Sequence, residues 1–435
     1  MIAPFRNRTF RRLFTGRLIT NIGDSLYFVA AMWLVYSLTG DPVYTGIAGF
    51  LTMFPQMFQF LAGPVVDRWS IKMTLVSTQL LQASIVSIIP IAHLFGMLTV
   101  ELVLVVMPLL AALNQFAYPA QAAALPRILD DEDLVAANAA FAIAYQGFSM
   151  VANGIAGILI GLFGAIVLFA IDAVTFVIAA LVFATLAIPS ATTKQTAPNT
   201  EDNHDGDAPT VAADGGHSLL EHSESYLARL RDGADAVRGT FLIWLVIGAA
   251  MVNFTAGMMM AALPPYADQL TVPTVIEVIG ASGAYGILMA AFAGGTLFGA
   301  ILANSVASQP VGRTIIACTV TTATIWSAAI IADTLVLTAP LILLAFIPVG
   351  IINVQFAAVV QSAPPEEMVG RVSSILGSAS TAMVPVGALA GGLVAGTLGP
   401  QIAMASLGIG TAFLAAYVLV TPGLRQLEAP SELSL

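Results

Sequence analysis

Two carboxylic acids lie inside strongly apolar stretches of this 435-residue chain. Asp24 falls near the middle of residues 18–38, and Asp172 falls in the segment FAIDAVTF. An ionisable group in hydrocarbon costs at least about 2.5–3.5 kcal/mol on insertion scales, so such a residue normally has a function or a dedicated partner. A carboxyl group whose hydration changes between two states also changes its affinity for protons. These residue types therefore indicate proton binding and release, or recognition of a cation.

Each acid also has a purely structural interpretation. Asp24 could hydrogen-bond Asn21, Ser25 or a neighbouring helix, and Asp172 could be a packing or capping group near the outer end of its helix. A rise of about 1.5 Å per residue from Phe14 places Asp24 about 15 Å deep, near the middle of a bilayer. The hypothesis is therefore proton coupling at Asp24, with Asp172 as the second candidate.

The composition is typical of a protein that crosses the cell membrane many times. Hydrophobic residues make up 58% of the chain and charged residues 9%, whereas soluble domains carry about 25% charged residues. The single cysteine, Cys318, excludes a disulfide within the chain and a CxxC metal site. We expect a monomer in a lipid bilayer, with no cofactor, no metal site and no nucleic-acid partner.

Apolar runs of about 20 residues, enough to cross a bilayer core as a helix, divide the chain into twelve predicted spans. They are 14–38, 44–66, 72–95, 99–122, 138–162, 165–188, 240–264, 278–304, 312–332, 335–360, 372–397 and 400–421. With twelve spans, all 15 lysines and arginines fall on or near one side, which the positive-inside rule makes cytoplasmic. The prediction is an all-α membrane protein with twelve transmembrane helices and with both termini in the cytoplasm.

The chain divides into two similar halves around a hydrophilic segment. Residues 1–188 and 239–435 each hold six spans, and residues 189–238 form an acidic cytoplasmic linker that could end in an amphipathic helix. QFAYPAQ at 115–121 matches QFAAVVQ at 355–361, which suggests a duplication. Two pseudo-symmetric six-helix bundles are a feature of secondary transporters, whose substrate site lies between the halves.

One loop motif resembles a known family. GPVVDRWSIK at 63–72 is similar to the loop signature of the major facilitator superfamily, and this resemblance implies the major facilitator fold. It also implies a gate formed by Gly63, Asp67, Arg68 and Lys72, for which Arg371 is a plausible partner across the halves. The motif is also compatible with a turn that only sets topology.

Further stretches, among them NIGDSLYFVAAMWLVYSLTGDP and DLVAANAAFA, resemble the branch of that superfamily that contains the enterobactin exporter and macrolide efflux proteins. This resemblance implies export. One departure is Asn153-Gly154, which stands where that branch usually has Gly-Pro in span five.

Other polar, aromatic or flexible side chains lie on helices that we expect to line a central cavity. With few charges, such a cavity favours a bulky amphipathic solute, cations included, although the same residues could pack helix against helix. The candidates are Asn21, Tyr27, Gln56, Gln59, Gln115, Tyr145, Gln146, Asn253, Met259, Asn353 and Gln355.

These features predict a secondary active transporter, a proton-coupled exporter of drug-, macrolide- or siderophore-type molecules that works by alternating access. An ATP-driven pump would need a GxxxxGK[ST] motif, which the sequence lacks. An enzyme would need a nucleophile–base pair or a metal constellation, and neither is present. Import of a small metabolite and a non-transporting membrane sensor remain alternatives.

Overall fold

The computed structural model describes residues 3–56, 69–188, 241–273, 280–362 and 380–429, and these residues are almost entirely helical. A short 3₁₀ turn at Ala3–Arg6 precedes the first helix. The helices are α1 (Arg8–Thr39), α2 (Pro42–Met53), α3 (Ile71–Leu94), α4 (Val100–Asn114), α5 (Ala117–Ile128), α6 (Asp131–Phe163), α7 (Ala165–Ala184), α8 (Phe241–Gln269), α9 (Gly280–Leu302), α10 (Val311–Ile331), α11 (Leu335–Ser362), α12 (Met383–Leu398), α13 (Pro400–Val420) and α14 (Pro422–Arg425).

Successive helices reverse direction at short turns whose chemistry is local. Between α1 and α2, Gly40 adopts φ 64° and donates its N–H to Tyr36 O, which ends α1. Asp41 then caps α2 by accepting a hydrogen bond from Val43 N at 2.9 Å, and Pro42 occupies the first turn, where a missing N–H costs nothing. The end of the molecule that carries this turn is called the distal face here, and the end where α1 begins and α13 ends is called the terminal face.

The structure confirms a membrane-spanning helical fold. Among the described residues, ten helical stretches are long and apolar enough to cross a bilayer, and they match ten of the predicted spans. The other two spans correspond to α2 and α12, which border residues 57–68 and 363–379, outside the described ranges. The count of twelve and the cytoplasmic location of both termini therefore stay predictions.

Helix α8 runs five residues beyond the predicted end at 264, straight through Pro264 and Pro265. A proline has no N–H, so Pro265 cannot donate to the carbonyl of Ala261 as an ordinary helical residue would. Thr45 Oγ1 of α2 lies 2.7 Å from that carbonyl oxygen and supplies the missing donor. A contact between the two halves thus lets the helix continue.

Two further boundaries differ from the sequence prediction. Helix α1 begins at Arg8, six residues early, because Asn7 Oδ1 caps it by accepting from Thr9 N and Phe10 N. The fourth span is interrupted, with α4 ending at Asn114 and α5 beginning at Ala117.

Within each half, the helices pack around a few close pairs. In the first half α1 packs on α6 and α7, and α7 also packs on α3. In the second half α8 packs on α12 and α13, while α11 packs on α9 and α10. The functional side chains described below project from α1, α4 and α7 in the first half and from α8, α10 and α11 in the second.

The two halves meet through glycines. A Cβ atom at Gly157 of α6 would overlap the backbone of Gly286 of α9, and one at Gly46 of α2 would overlap the backbone of Gly392 of α12. Because lipid tails are as apolar as leucine, helices in a membrane associate through close packing of such small residues. Both contacts lie towards the distal face.

Polar and aromatic contacts join the halves at the same face. Tyr36 of α1 donates its hydroxyl to Asp268 Oδ2 of α8 at 2.9 Å. The rings of Trp33 and Tyr285 stack with their centroids 6.0 Å apart. The distal ends of the two halves are therefore held together.

Gly157→Val should destabilise the protein, because the added side chain meets the Gly286 backbone, which cannot move aside as a flexible side chain would. Overpacking of this kind costs about 1–3 kcal/mol. The matched control is Gly147→Val, on the same helix at a position with open space around the ideal Cβ. Thermal unfolding of both purified variants in detergent measures the difference, and equal melting temperatures would show that the glycine contact does not hold the halves.

Candidate functional site

Asp24 and Asp172 line a single cavity of about 140 Å³ in the first half. The sequence placed the two acids at different depths on separate helices; the packing of α1 on α7 brings them together. The lining residues are Asp24, Tyr27, Phe28, Thr52, Gln56, Gln82, Leu110, Ala111, Asn114, Gln115, Asp172 and Phe176.

Asp24 is held from α4. Its Oδ2 accepts a hydrogen bond from Asn114 Nδ2 at 3.2 Å. The two local partners considered from the sequence are engaged elsewhere, since Ser25 Oγ donates to Asn21 O and Asn21 Oδ1 accepts from Ser149 Oγ. The carboxyl group of Asp24 therefore faces the cavity and not its own helix.

Asp172 is fully buried. Its Oδ1 accepts from Thr175 Oγ1 at 3.2 Å, one turn along α7. Its Oδ2 is buried with no hydrogen-bond partner among the described residues, and the hydroxyl of Tyr27 is in the same situation. A buried polar atom without a partner costs about 1–3 kcal/mol, so both atoms have spare capacity for a ligand, a proton or water.

Gly23 allows the second acid to approach the first. A Cβ at this position would overlap both Asp172 Oδ1 and Thr175 Oγ1. The carboxyl group of Asp172 thus lies directly against the backbone of α1 at Gly23, the residue that precedes Asp24 in the chain.

The charges in this cavity do not balance. Two carboxyl groups line it, and no lysine or arginine does among the described residues. Buried like charges are strongly unfavourable unless a proton or a cation neutralises them. The arrangement can therefore bind protons or a cation, and its state depends on how much water enters.

Sequence reasoning missed several polar residues of this site, chiefly Asn114, Gln82 and Gln79. Gln79 Nε2 donates to Gln82 Oε1 at 3.1 Å, and each side chain is 1% exposed. The segment STQLLQAS carries the signal, two amides three residues apart on one helical face. Gln56 and Gln59 have the same spacing.

A second cavity, of about 150 Å³, lies in the other half. Asn253 and Asn353, both predicted, line it together with hydroxyl groups and many apolar side chains, and its described lining includes no charged residue. The hydroxyl-bearing residues are Thr319, Thr322, Ser380 and Thr411. The two halves thus offer different chemistry, acidic in the first and neutral in the second.

The structure places the remaining candidates outside both cavities. Met259 is 2% exposed within the core, and Gln355 is 3% exposed and donates to Val306 O at 3.1 Å. Tyr145 contacts Arg17, and Asn21 ties α1 to α6 through Ser149.

The predicted gate lies mostly outside the described residues. Lys72 is partly exposed in the first turn of α3, and Gln146 lies in α6. The other candidates, and the linker at 189–238, fall in ranges that the structure does not describe: Gln59, Gly63, Asp67, Arg68 and Arg371.

Gly23→Ala should lower the melting temperature, because its methyl group would push Asp172 and Thr175 away from α1. The cost expected from such overpacking is about 1–3 kcal/mol. Gly147→Ala, a helical glycine with open space at its ideal Cβ, controls for the change in helix propensity. Unfolding curves that coincide for the two variants would contradict the close approach of Asp172 to α1.

Solved structures share this fold over nearly the whole chain. A mutant of the nucleoside transporter NupG matches with a TM-score of 0.68 and 14% identity, covering 95% of this chain and 99% of the other. An inward-facing bacterial homologue of the human lysosomal transporter Spinster matches with a TM-score of 0.65 and 13% identity, covering 98% of each chain. An inward-facing bacterial homologue of the iron transporter ferroportin matches with a TM-score of 0.66 and 14% identity, covering 95% of this chain and 98% of the other. At these identities the likeness establishes the fold alone.

Sequence comparison adds the family. The Bacillus subtilis (strain 168) protein named "Uncharacterized MFS-type transporter YvqJ" is 28% identical over 134 residues, which span 30% of this chain and 32% of that relative. The family model for the Major Facilitator Superfamily matches residues 13–388. The chain therefore belongs to the Major Facilitator Superfamily of multi-pass membrane transporters.

Proposed function

We propose that this transporter is a proton-coupled exporter of amphipathic small molecules. The observation that carries the proposal is the shared cavity of Asp24 and Asp172, with no counterpart of either acid in the described lining of the second-half cavity. A transporter driven by protons needs at least one group that gains and loses a proton as its access to water changes. This pair supplies such a group near the middle of the first half.

The contacts around the pair favour Asp24 as the exchanging group. Asp24 is partly exposed to the cavity, accepts a hydrogen bond from the neutral Asn114, and is attracted by the charge of Arg17 on the same helix. Asp172 is sealed from solvent and bonded to Thr175, so it acts on Asp24 as a neighbouring carboxyl group. Opening the cavity to alternate sides changes the hydration of Asp24 first.

The conformation agrees with loading from the cytoplasm. The contacts that join the halves through Tyr36, Thr45 and Gly157 lie towards the distal face. If the basic terminal face is cytoplasmic, as the lysine and arginine distribution predicts, the closed distal face is the outer one, and we infer an inward-facing state. An exporter takes up its substrate in that state.

The solute class follows from the cavity chemistry. A cationic or proton-exchanging end suits the first-half cavity, and an apolar body with a few hydrogen-bonding groups suits the second. Drug-, macrolide- and siderophore-type molecules fit this description, and the resemblance to the enterobactin and macrolide exporter branch supports export.

The loop at 63–72, together with Arg371, is proposed as the gate on the terminal face, and the transporter is proposed to act as a monomer.

Asp24→Asn should abolish proton-driven efflux, because the amide keeps the shape of the side chain and cannot ionise. Cells loaded with a panel of lipophilic dyes and macrolides are followed for efflux, with and without a protonophore. We expect wild-type efflux to stop with the protonophore, and the proton-driven efflux of the variant to fall by at least about a hundredfold, the lower end of the usual contribution of a proton-transfer group.

The matched control is Asp41→Asn, the same chemical change in an acid that caps α2, a role that asparagine also fills. Protonophore-sensitive efflux that survives in Asp24→Asn would move coupling to Asp172 or elsewhere. Efflux that ignores the protonophore would contradict proton coupling itself. Accumulation of a panel compound, in place of its loss, would identify an importer.

A further inference from the structure

Arg17 is a buried charge that the proposed mechanism does not use. It lies on α1 and is 8% exposed. Its Nε lies 3.1 Å from Gln121 Oε1 of α5 and 3.0 Å from the hydroxyl of Tyr145 of α6, and donates to both. Its Cζ is 5.6 Å from the centre of the Tyr145 ring. Tyr145 in turn donates its hydroxyl to Gln121 Oε1, so the three side chains brace one another.

This bracing orients the guanidinium group without neutralising it. Gln121 and Tyr145 are both uncharged acceptors, and they use only the Nε–H. Within the described residues, neither Nη nitrogen has a hydrogen-bond partner and no carboxylate forms an ion pair with Arg17. Asp24, on the same helix, attracts this charge without forming an ion pair with it.

Asp24 attracts Arg17 from a distance and does not occupy the Nη edge of its guanidinium group. It lies seven residues further along α1, which is about 10 Å at 1.5 Å per residue, and its carboxyl group is engaged by Asn114. The guanidinium edge formed by Nη1 and Nη2 therefore remains free for an anion from outside the described chain. A planar guanidinium fixed in this way is pre-organised for two parallel hydrogen bonds to a carboxylate.

The surroundings of Arg17 are aromatic. Phe14 lies one turn before it on the same face of α1, and the rings of Phe14 and Phe141 are 5.1 Å apart. Phe141 in turn lies 5.6 Å from the ring of Tyr145. Phe141 is 3% exposed and belongs to the packed core, so the partly exposed Phe14 is the ring that a ligand can reach. A free inorganic anion gains nothing from this ring, whereas an organic acid with an apolar body can pack on it.

We propose that Arg17 binds the carboxylate of an amphipathic organic acid or zwitterion, whose apolar body packs beside Phe14. A zwitterion of suitable length can also reach Asp24 with its amine, about 10 Å along the helix. The inference deepens the proposed export function and rests on it for transport, but the binding step can be measured without transport.

The test uses the purified full-length protein in detergent and two fluorescent probes, dansyl-glycine and its uncharged methyl ester. We expect the wild type to bind the acid at least about tenfold more tightly than the ester, in line with a hydrogen bond to a charged group. Arg17→Gln should reduce this preference to less than about twofold, and Arg17→Lys should retain part of it, since lysine keeps the charge and loses the fork. The matched control, Arg11→Gln, makes the same change at an exposed arginine of the same helix.

A second variant protects the test against misfolding of Arg17→Gln. Gln121→Glu is nearly isosteric and places a carboxylate on the guanidinium, so it should abolish the preference for the acid while leaving the melting temperature equal or higher. If Arg17 only stabilised the fold, the new carboxylate would form an ion pair with it, and the preference for the acid over the ester would not change.

The outcomes separate this inference from the proposed function. Equal binding of acid and ester by the wild type, or an acid preference that survives Arg17→Gln or Gln121→Glu, would overturn the Arg17 site. Displacement of dansyl-glycine by inorganic phosphate at the same concentration would assign the site to free anions and not to organic acids. Failure of dye efflux to depend on protons would overturn the export mechanism and leave the acid preference intact.

Discussion

The carboxyl group of Asp172 lies against the backbone of α1 at Gly23, inside a bundle built almost entirely from apolar side chains. This contact brings the only two acids that line the first-half cavity in the described residues close to each other. Uncharged amides from Gln56, Gln82, Asn114 and Gln115 line the same cavity, and Asn114 donates a hydrogen bond to Asp24. The state of the pair is thereby linked to whatever opens or closes the cavity.

Opening and closing depend on how the halves touch. The distal contacts are made by backbone against backbone at Gly157 and Gly286, and by Thr45 on the carbonyl that Pro265 leaves without a donor. These contacts contain few flexible side chains that could adjust gradually, so each contact is either formed or separated. A packed interface of this kind suits two discrete arrangements, which is what alternating access requires. The hydrogen bond from Tyr36 to Asp268 and the stacking of Trp33 on Tyr285 add to the same closed end.

The sequence motifs that suggest an internal duplication have different surroundings in the two halves. The paired motifs at 115–121 and 355–361 both start with glutamine, yet Gln115 lines a cavity while Gln355 is buried and bonded to Val306 O. Acids occupy the first cavity, and Asn253 and Asn353 occupy the second. Arg17 adds the opposite charge near the terminal end of α1, braced by Gln121 and Tyr145. The first half therefore carries the charge chemistry, and the second offers a neutral, mostly apolar wall.

The amino-acid sequence by itself determined that this is a helical membrane protein, because every backbone polar group in lipid must be satisfied within its own segment. It also determined the turns, through residues such as Gly40 and Asp41, and it identified Asp24 and Asp172 as anomalies in apolar surroundings. Helical periodicity reports how deep a residue lies and which residues share its face. It does not report which neighbouring helix that face meets.

Only the tertiary structure decided that Asn114, and not Asn21 or Ser25, binds Asp24, and that Asp172 reaches the same cavity. In the tertiary structure α8 also continues past two prolines, beyond its predicted end. The hydrogen-bond donor that Pro265 lacks is replaced by the hydroxyl of Thr45, more than two hundred residues away in the chain. Arg17 looked like one more basic residue near the cytoplasmic side, and packing buried it between α5 and α6. In each case the deciding contact joins residues far apart in sequence, and no local pattern records it.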